Sequence, residues 1–143
     1  MGVKEYWSKT KLLTLSTKEA INQVLAIIKK YKTIYLLYIF GSRAKGIENK
    51  ESDIDFAILT DPKFSLNHYL NLLRKITFAL KTDRFHVVWL NRADPILAYT
   101  VIKEGKILYF VNENILNDYE TKAIKNFREY SLYLKKHRLL KKN

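Results

Sequence analysis

Residues 41–59 read GSRAKGIENKESDIDFAIL, a glycine-bounded turn followed by a polar stretch and then by two aspartates that open an apolar run. The residues before the turn, TIYLLYIF at 33–40, are β-branched and aromatic, which predicts a strand buried on both faces. Residues 53–59 predict the next strand. With a loop of about a dozen residues between two neighbouring strands, the glycine turn and the aspartates would lie at the same edge of one sheet.

Helical and strand patterns continue on both sides of this stretch. In chain order they predict a helix over 17–32, a helix over 65–80, a strand over 85–90, a short helix from Pro95 to Glu104, a strand over 107–111 and a helix from Asn117. The first helix is preceded by a capping-box pattern, Ser16 with Glu19 three residues later. We therefore expect one α/β or α+β domain over residues 1–143, with a basic tail from about residue 135.

Length and composition limit the kind of protein. The chain has 143 residues, of which 48% are hydrophobic, enough for one core, and it has no cysteine for disulfides or thiolate metal sites. Its apolar runs are too short to cross a bilayer and residues 1–10 lack a signal-peptide core, so we expect a soluble cytoplasmic protein with no membrane partner. The net charge of +12 favours anionic partners, which include nucleotides, nucleic acid and acidic protein surfaces.

The two aspartates predict a metal site. On a strand, Asp53 and Asp55 would point the same way, because side chains alternate between the two faces. Two neighbouring carboxylates repel each other unless a cation lies between them. Their hard oxygen ligands suit Mg²⁺ or Mn²⁺, which also take water and substrate phosphates as ligands.

The glycine turn predicts a phosphate-binding site beside that metal. The backbone at Gly41 can approach a ligand closely, and Ser42 offers a hydroxyl and an amide. If residues 42–45 start a short helix, its N–H groups and dipole favour an anion. Arg43 and Lys45 add positive charge to the same place.

Each half of this pattern also has a plain structural interpretation. An Asp-x-Asp at a strand start is more often a solvated turn than a metal site, and a Gly-Ser after a strand is usually a loop. The order strand, Gly-Ser, ten residues, Asp-x-Asp and strand is much more specific than either half.

In that order, GSRAKGIENKESDIDFAIL resembles the G-S-x10-D-x-D signature of the DNA polymerase β-like nucleotidyltransferases, in particular the minimal nucleotidyltransferases (MNT) of prokaryotes. Residues 85–110, FHVVWLNRADPILAYTVIKEGKILYF, are similar to the family's later strand, short helix and strand. The resemblance covers roughly residues 18–135 and implies a small mixed sheet of about four strands, flanked by helices, with a long C-terminal helix.

The resemblance also implies an activity. A nucleoside triphosphate, usually ATP, would bind with its β- and γ-phosphates at Gly41 and Ser42, and Asp53 and Asp55 would hold Mg²⁺ or Mn²⁺. A hydroxyl acceptor would attack the α-phosphate and expel pyrophosphate. In the antitoxin branch of the family, the acceptor is a tyrosine on a HEPN-domain ribonuclease toxin, which becomes AMPylated and inactive.

Two other functions stay open at this point. The chain could be a degenerate MNT that neutralises a HEPN partner by binding alone, or it could transfer a nucleotide to a small molecule or to RNA. Homo-oligomers and hetero-oligomers are both compatible with the resemblance, and direct nucleic-acid binding by the basic tail is left open.

One residue departs from the family's pattern. Members that use two metals supply a third carboxylate from a later strand, and His86 stands at that place. His86 could be a general base or ligand in a modified site, since its ordinary pKa suits proton transfer, or it could mark a site that binds nucleotide but transfers poorly. A third reading places Asp83 in the role instead, although its strand parity is opposite to that of His86.

Overall fold

The structure of the protein is a computed structural model that describes residues 12–47 and 52–137. Its elements, in chain order, are α1 (Thr17–Ile28), β1 (Ile34–Phe40), α2 (Ser42–Lys45), β2 (Ile54–Thr60), α3 (Leu66–Leu80), β3 (Phe85–Trp89), a 3-10 turn (Leu90–Arg92), α4 (Pro95–Glu104), β4 (Lys106–Phe110) and α5 (Glu113–Lys136). Residues 1–10, for which no signal sequence is predicted, and residues 138–143 of the predicted basic tail lie outside the described residues.

The four strands form one mixed sheet in the order β3-β2-β1-β4. Strand β1 is antiparallel to both β2 and β4, whereas β2 and β3 are parallel. Phe40 pairs with Asp55, and Asp55 pairs with His86. The end of β1 and the starts of β2 and β3 therefore meet at one end of the sheet, called here the site end; the opposite end is the distal end. The mixed sheet and its helices confirm the predicted fold class.

Helices cover both faces of the sheet. Val24 and Ile28 of α1 and Leu72 and Ile76 of α3 pack on one face with Phe56 of β2. On the other face, α4 and α5 pack on Leu36, Tyr38 and Ala57. Strand β1 contributes fully buried side chains to both clusters, so it is the doubly buried central strand that its sequence predicts.

Helix α5 crosses the sheet face that α4 also covers, and its residue Asn126 lines a cavity with Leu59 and Asn91 at the distal end. The helix begins just after Val111, whose N–H donates to the carbonyl of Tyr35 at 2.9 Å. Seven residues into the helix, Glu120 accepts a hydrogen bond from the hydroxyl of Tyr38 at 2.6 Å. Burial, reinforced by this bond to a carboxylate, raises the pKa of Tyr38 far above its ordinary value. The pair fixes the first half of α5 against the sheet.

The element boundaries differ from the predicted ones by more than one residue in two places. Helix α5 begins at Glu113 rather than at residue 117, because the side chain of Asn112 accepts from the N–H of Ile115 at 2.9 Å and caps the helix early. Helix α1 ends at Ile28 rather than at residue 32. None of the described helices combines the length and apolarity that a bilayer crossing requires.

Candidate active site

Gly41 joins the phosphate-turn half of the site to the carboxylate half. It follows β1 and precedes α2 with φ of 79°, a left-handed conformation that favours glycine. A Cβ atom at this position would lie 2.3 Å from Oδ2 of Asp55, which is far inside van der Waals contact. Glycine therefore suits this position for two reasons: the backbone angle favours it, and a Cβ would displace the Asp55 carboxylate.

The structure brings Asp53, Asp55 and His86 together as the sequence predicts. Asp55 and His86 are register partners on parallel strands, so their side chains project from the same face. Nδ1 of His86 lies 2.8 Å from Oδ1 of Asp55, and Nε2 lies 3.8 Å from Oδ2 of Asp53. The imidazole thus lies close to both carboxylates and is itself well exposed.

The contact to Asp55 indicates how the His86 ring is protonated. An ionised carboxylate only accepts hydrogen bonds, so Nδ1 of His86 must carry the hydrogen that is donated to Asp55. In the neutral imidazole this leaves a lone pair on Nε2, which is beyond hydrogen-bond distance from Asp53. His86 is therefore oriented by one carboxylate while its other nitrogen can accept a proton.

Arg84 is a site residue that the sequence analysis missed. Its Nε donates to Oδ1 of Asp53 at 3.0 Å, and both side chains are partly exposed. Arg84 lies two residues before His86, and the alternation of side chains along a strand predicts that residues 84 and 86 share a face. Strand alternation could therefore have identified Arg84 as a site residue, although it precedes the start of β3.

Asp83 lies beside Asp53 and Arg84, although strand alternation predicts that residues 83 and 86 point to opposite faces. Together with Asp53, Arg84 and His86 it lines a small cavity of about 190 Å³. Oδ1 of Asp83 is buried, and within the described part of the chain it has no hydrogen-bond partner. A buried carboxylate oxygen without a partner is costly, so this cavity favours a cationic or hydrogen-bonding guest.

The donor set fits the divalent cation that the predicted chemistry needs. In residues 12–47 and 52–137, no three His, Asp or Glu side chains are arranged to enclose a metal ion by themselves. Mg²⁺ does not require this, because it is commonly held by one or two carboxylates together with water and substrate phosphates. Asp53 and Asp55 would hold the ion, and the unpartnered oxygen of Asp83 adds negative character nearby.

Arg43 is turned inward, away from the position of a surface phosphate ligand. The residue is only 9% exposed. Its Nε and Nη2 donate to the carbonyl of Ser52 at 3.0 and 2.9 Å, and Nη1 donates to Oγ1 of Thr17 at 2.9 Å. These bonds hold the residue before Asp53 against the turn after β1, so Arg43 positions the two halves of the site. Its predicted direct contact with a nucleotide stays a prediction.

Lys45 and Ser42 lie on the single turn of α2, after Gly41. Ser42 is half-buried, and Lys45 extends to Glu104 at the end of α4, with 2.8 Å between Nζ and Oε1. The hydrogen bond from Lys45 lowers the pKa of Glu104. Both side chains are exposed, and such surface pairs contribute little to stability, so Lys45 can leave Glu104 for a phosphate at small cost.

Comparison with known proteins matches this arrangement to a family. The model of the family described as "Polymerase beta, Nucleotidyltransferase" matches residues 22–114, a range that contains Gly41, both aspartates and His86. The protein adenylyltransferase MntA of Aphanizomenon flos-aquae is 34% identical over 94 residues, which are 59% of this chain and 63% of that protein. The match thus spans somewhat less than two thirds of the relative's length.

Solved structures share the fold. A chain of a toxin-antitoxin crystal structure with AMP-PNP has a TM-score of 0.71 and 24% identity, over 80% of this chain and 92% of that one. A chain of the tri-AMPylated Shewanella oneidensis HEPN toxin in complex with MNT antitoxin has a TM-score of 0.68 and 22% identity, over 82% and 92%. They confirm the predicted fold, and the family match confirms the resemblance seen in the sequence. The chain belongs to the polymerase β nucleotidyltransferase family.

Proposed function

We propose that this protein is a metal-dependent protein adenylyltransferase that transfers AMP from ATP to a hydroxyl group of a HEPN-domain partner and thereby acts as an antitoxin in the cytoplasm. The observation that carries the proposal is the contact between Gly41 and Asp55. The close approach of the Gly41 backbone to the Asp55 carboxylate supports a single site that combines a phosphate turn with the carboxylate pair. A surface loop that merely precedes a strand has no need of this contact.

The residues of the chain divide the work of the reaction. Gly41 and Ser42 receive the triphosphate, and Lys45 turns from Glu104 to the phosphate charge. Asp53 and Asp55 would hold Mg²⁺ or Mn²⁺, which neutralises charge on the phosphates. His86, held by Asp55, accepts the proton of the attacking hydroxyl at Nε2. A bond forms from the acceptor oxygen to the α-phosphorus, the bond to the β-phosphate oxygen breaks, and pyrophosphate leaves.

The relatives support the choice of acceptor. The Aphanizomenon protein is named a protein adenylyltransferase, and the Shewanella structure contains an AMPylated HEPN toxin bound to an MNT antitoxin. The net charge of +12 suits ATP and an acidic partner surface.

A second function, binding without transfer, is favoured by one observation. The guanidinium of Arg84 contacts the Asp53 carboxylate, and the imidazole of His86 contacts the Asp55 carboxylate. These are the two carboxylates that would hold a metal ion. If Arg84 and His86 hold those carboxylates permanently, the protein neutralises its partner by contact alone. The two functions make opposite predictions for the mass of the partner.

The test uses a candidate HEPN-domain partner, mixed with the full chain, ATP and Mg²⁺ or Mn²⁺, and weighed by intact mass spectrometry. We expect adenylate-sized additions that disappear with Asp53→Asn or Asp55→Asn and persist with Asp118→Asn, a carboxylate change on the exposed surface of α5. Neutralisation of the partner without added mass, unchanged by the two site variants, would instead establish binding alone.

Two variants at His86 test its role. His86→Ala removes the proton acceptor, so we expect transfer to fall about a hundredfold if the imidazole is the base. His86→Asp restores the family's third carboxylate, so faster transfer in this variant would show that the histidine impairs the reaction.

A further inference from the structure

The second half of α5 combines exposed apolar side chains with concentrated positive charge. Leu132 is 63% exposed and Tyr133 is 53% exposed, whereas Ala123 is the buried residue of the helix. Residues 121–136 contain five basic residues and one acidic residue. Apolar side chains at this exposure are costly in water when they are grouped, and grouped exposure marks interaction surfaces.

Leu132 and two of the basic residues, Arg128 and Lys135, line a groove between α4 and α5. The α4–α5 groove has a volume of about 230 Å³, and its main lining residues are Tyr99, Ile124, Phe127, Arg128, Leu132 and Lys135. Its floor is rigid, because the rings of Tyr99 and Phe127 stack with centroids 4.0 Å apart and planes 8° apart. Arg128 and Lys135 form a cationic rim around this apolar floor.

The groove is linked to the site through α4. Tyr99 forms the α4 side of the groove, and five residues later Glu104 pairs with Lys45, which lies on the turn after Gly41. At about 1.5 Å per residue, Tyr99 and Glu104 lie about 8 Å apart along the helix axis. A protein seated on the groove would therefore need to extend only past the end of α4 to reach the site end.

We propose that the α4–α5 groove is the docking surface for the acceptor protein, which presents an apolar side chain surrounded by acidic residues. The proposal rests on the proposed function, since it names the surface that holds the substrate of that reaction. Charge complementarity identifies the occupant: a cationic rim around an aliphatic and aromatic floor fits an apolar anchor with an acidic border. RNA fits less well, because Ile124 and Leu132 offer nothing to phosphates, whose contacts come from cations and hydrogen-bond donors.

The test measures binding in the absence of ATP. Calorimetry would compare the full chain and its variants as ligands of the same candidate HEPN-domain partner, with circular dichroism to verify folding. Leu132→Glu puts a charge into the apolar contact, so we expect Kd to rise about thirtyfold, as for an interface anchor. Arg128→Glu reverses the charge of the rim, so we expect a rise of several-fold at low salt that shrinks at high salt.

Matched controls lie on α3, which covers the opposite face of the sheet. Leu70 is 49% exposed and Arg74 is exposed on the same helix. Leu70→Glu and Arg74→Glu make the same chemical changes, and we expect both to bind like the unmodified chain. Equal binding by all four variants, or no binding by the unmodified chain, overturns the docking proposal.

The outcome separates the docking surface from the proposed activity. Loss of binding in Leu132→Glu, with no AMP added to the bound partner of the unmodified chain, supports the groove and contradicts the transfer reaction. AMP transfer at an unchanged rate and affinity in Leu132→Glu contradicts the groove and supports the reaction. A fluorescent single-stranded RNA that binds the chain and is released by Arg128→Glu, while the HEPN protein binds every variant equally, also overturns the proposal.

Discussion

At the distal end of β2 and β3 polar groups pair with one another, whereas at the site end of the same two strands charged groups remain open to solvent. The distal pairing is centred on Thr60, which is 3% exposed. Its N–H donates to Oδ1 of Asn91 at 2.9 Å, its carbonyl accepts from Nδ2 of Asn91 at 2.7 Å, and its hydroxyl accepts from Nε1 of Trp89 at 3.0 Å. Every polar group in this set has a partner, so the distal end is closed.

The site end also contains several polar and charged side chains, but they are not closed off from solvent by pairing with one another. Asp53, Asp55 and His86 contact one another or Arg84 but stay at least partly exposed, and the nearby Oδ1 of Asp83 is buried without a partner among the described residues. The comparison shows that paired polar groups at a strand end stabilise the fold, whereas incompletely paired charges keep a capacity to bind a ligand.

The largest effect is expected from closing the space at the site end with Gly41→Ala. The new Cβ would meet Oδ2 of Asp55 at 2.3 Å, and the backbone would keep a left-handed φ that alanine disfavours. We expect AMP transfer to fall about a hundredfold, since displacement of about 1 Å is enough for such a loss. Single-turnover transfer, followed by partner mass, measures this.

Gly46→Ala is the control for that change. Gly46 has nearly the same φ, 72°, but a Cβ there would meet no atom of residues 12–47 or 52–137 within 4 Å. It therefore carries the backbone strain without the contact. If both variants lose transfer equally, backbone strain rather than the Asp55 contact explains the loss.

The next largest effect is expected at the distal end from Asn91→Ala. This change removes the side-chain amide that pairs with both the N–H and the carbonyl of Thr60. Thr60 is buried, so its N–H and carbonyl would lose their hydrogen bonds without full access to water. We expect the free energy of unfolding to fall by about 2 kcal/mol, with transfer by the folded protein unchanged. Urea denaturation and the transfer assay, run on the same preparation, test both statements. A transfer defect without a stability defect would contradict the division between the two ends.

A smaller effect is expected from Arg84→Gln at the site end. Removing the cation that lies 3.0 Å from Asp53 leaves that carboxylate more available to a metal ion. We expect Mn²⁺ affinity, measured by calorimetry without nucleotide, to rise about fivefold, which corresponds to about 1 kcal/mol for a partly exposed pair. Arg74→Gln on α3 is the matched control. A fall in affinity would show instead that Arg84 orders Asp53 for the ion.

The smallest effect is expected from Glu104→Gln, which breaks the exposed pair with Lys45. The hydrogen bond from Lys45 lowers the pKa of Glu104 below 4.5, so any stability it adds is present above that pH and is lost as the pH falls through the lowered pKa. Since both side chains are exposed, we expect Tm to match that of the unmodified chain at neutral pH, and also in acid. A clear loss of Tm at neutral pH alone would mean that Lys45 is structural and is not available to a phosphate.

The parts of the fold and site that the sequence predicts depend on local rules. The pairing of Asp53 with Asp55 follows from the alternation of side chains along a strand, whereas the place of His86 beside them was predicted from the family resemblance. Gly41 follows from its place between an apolar strand and a polar turn. These residues were predicted without knowledge of the strand order.

The parts that it does not predict depend on distant contacts. The sequence predicts that Arg43 is a phosphate ligand, because the residue lies on the glycine turn. Its position in the sequence cannot show that Thr17 and Ser52 accept hydrogen bonds from its guanidinium. The early start of α5 depends on the Asn112 cap. The residues that follow Asn112 have only a weak helical pattern, so the sequence predicts a later helix start. The groove between α4 and α5 depends on how the two helices pack at Tyr99 and Phe127, which no local pattern contains.

The inward position of Arg43 has a consequence for how the chain can be altered. Its guanidinium joins residue 43 to the carbonyl of Ser52, so the segment between them is closed by a side chain at its base. A closed segment can change in length at little entropic cost, about 0.6 kcal/mol for each doubling, while the residues beyond its base keep their places. The stretch between the two motif halves is therefore a natural insertion point for a fluorescent or affinity tag that leaves Asp53 where it is.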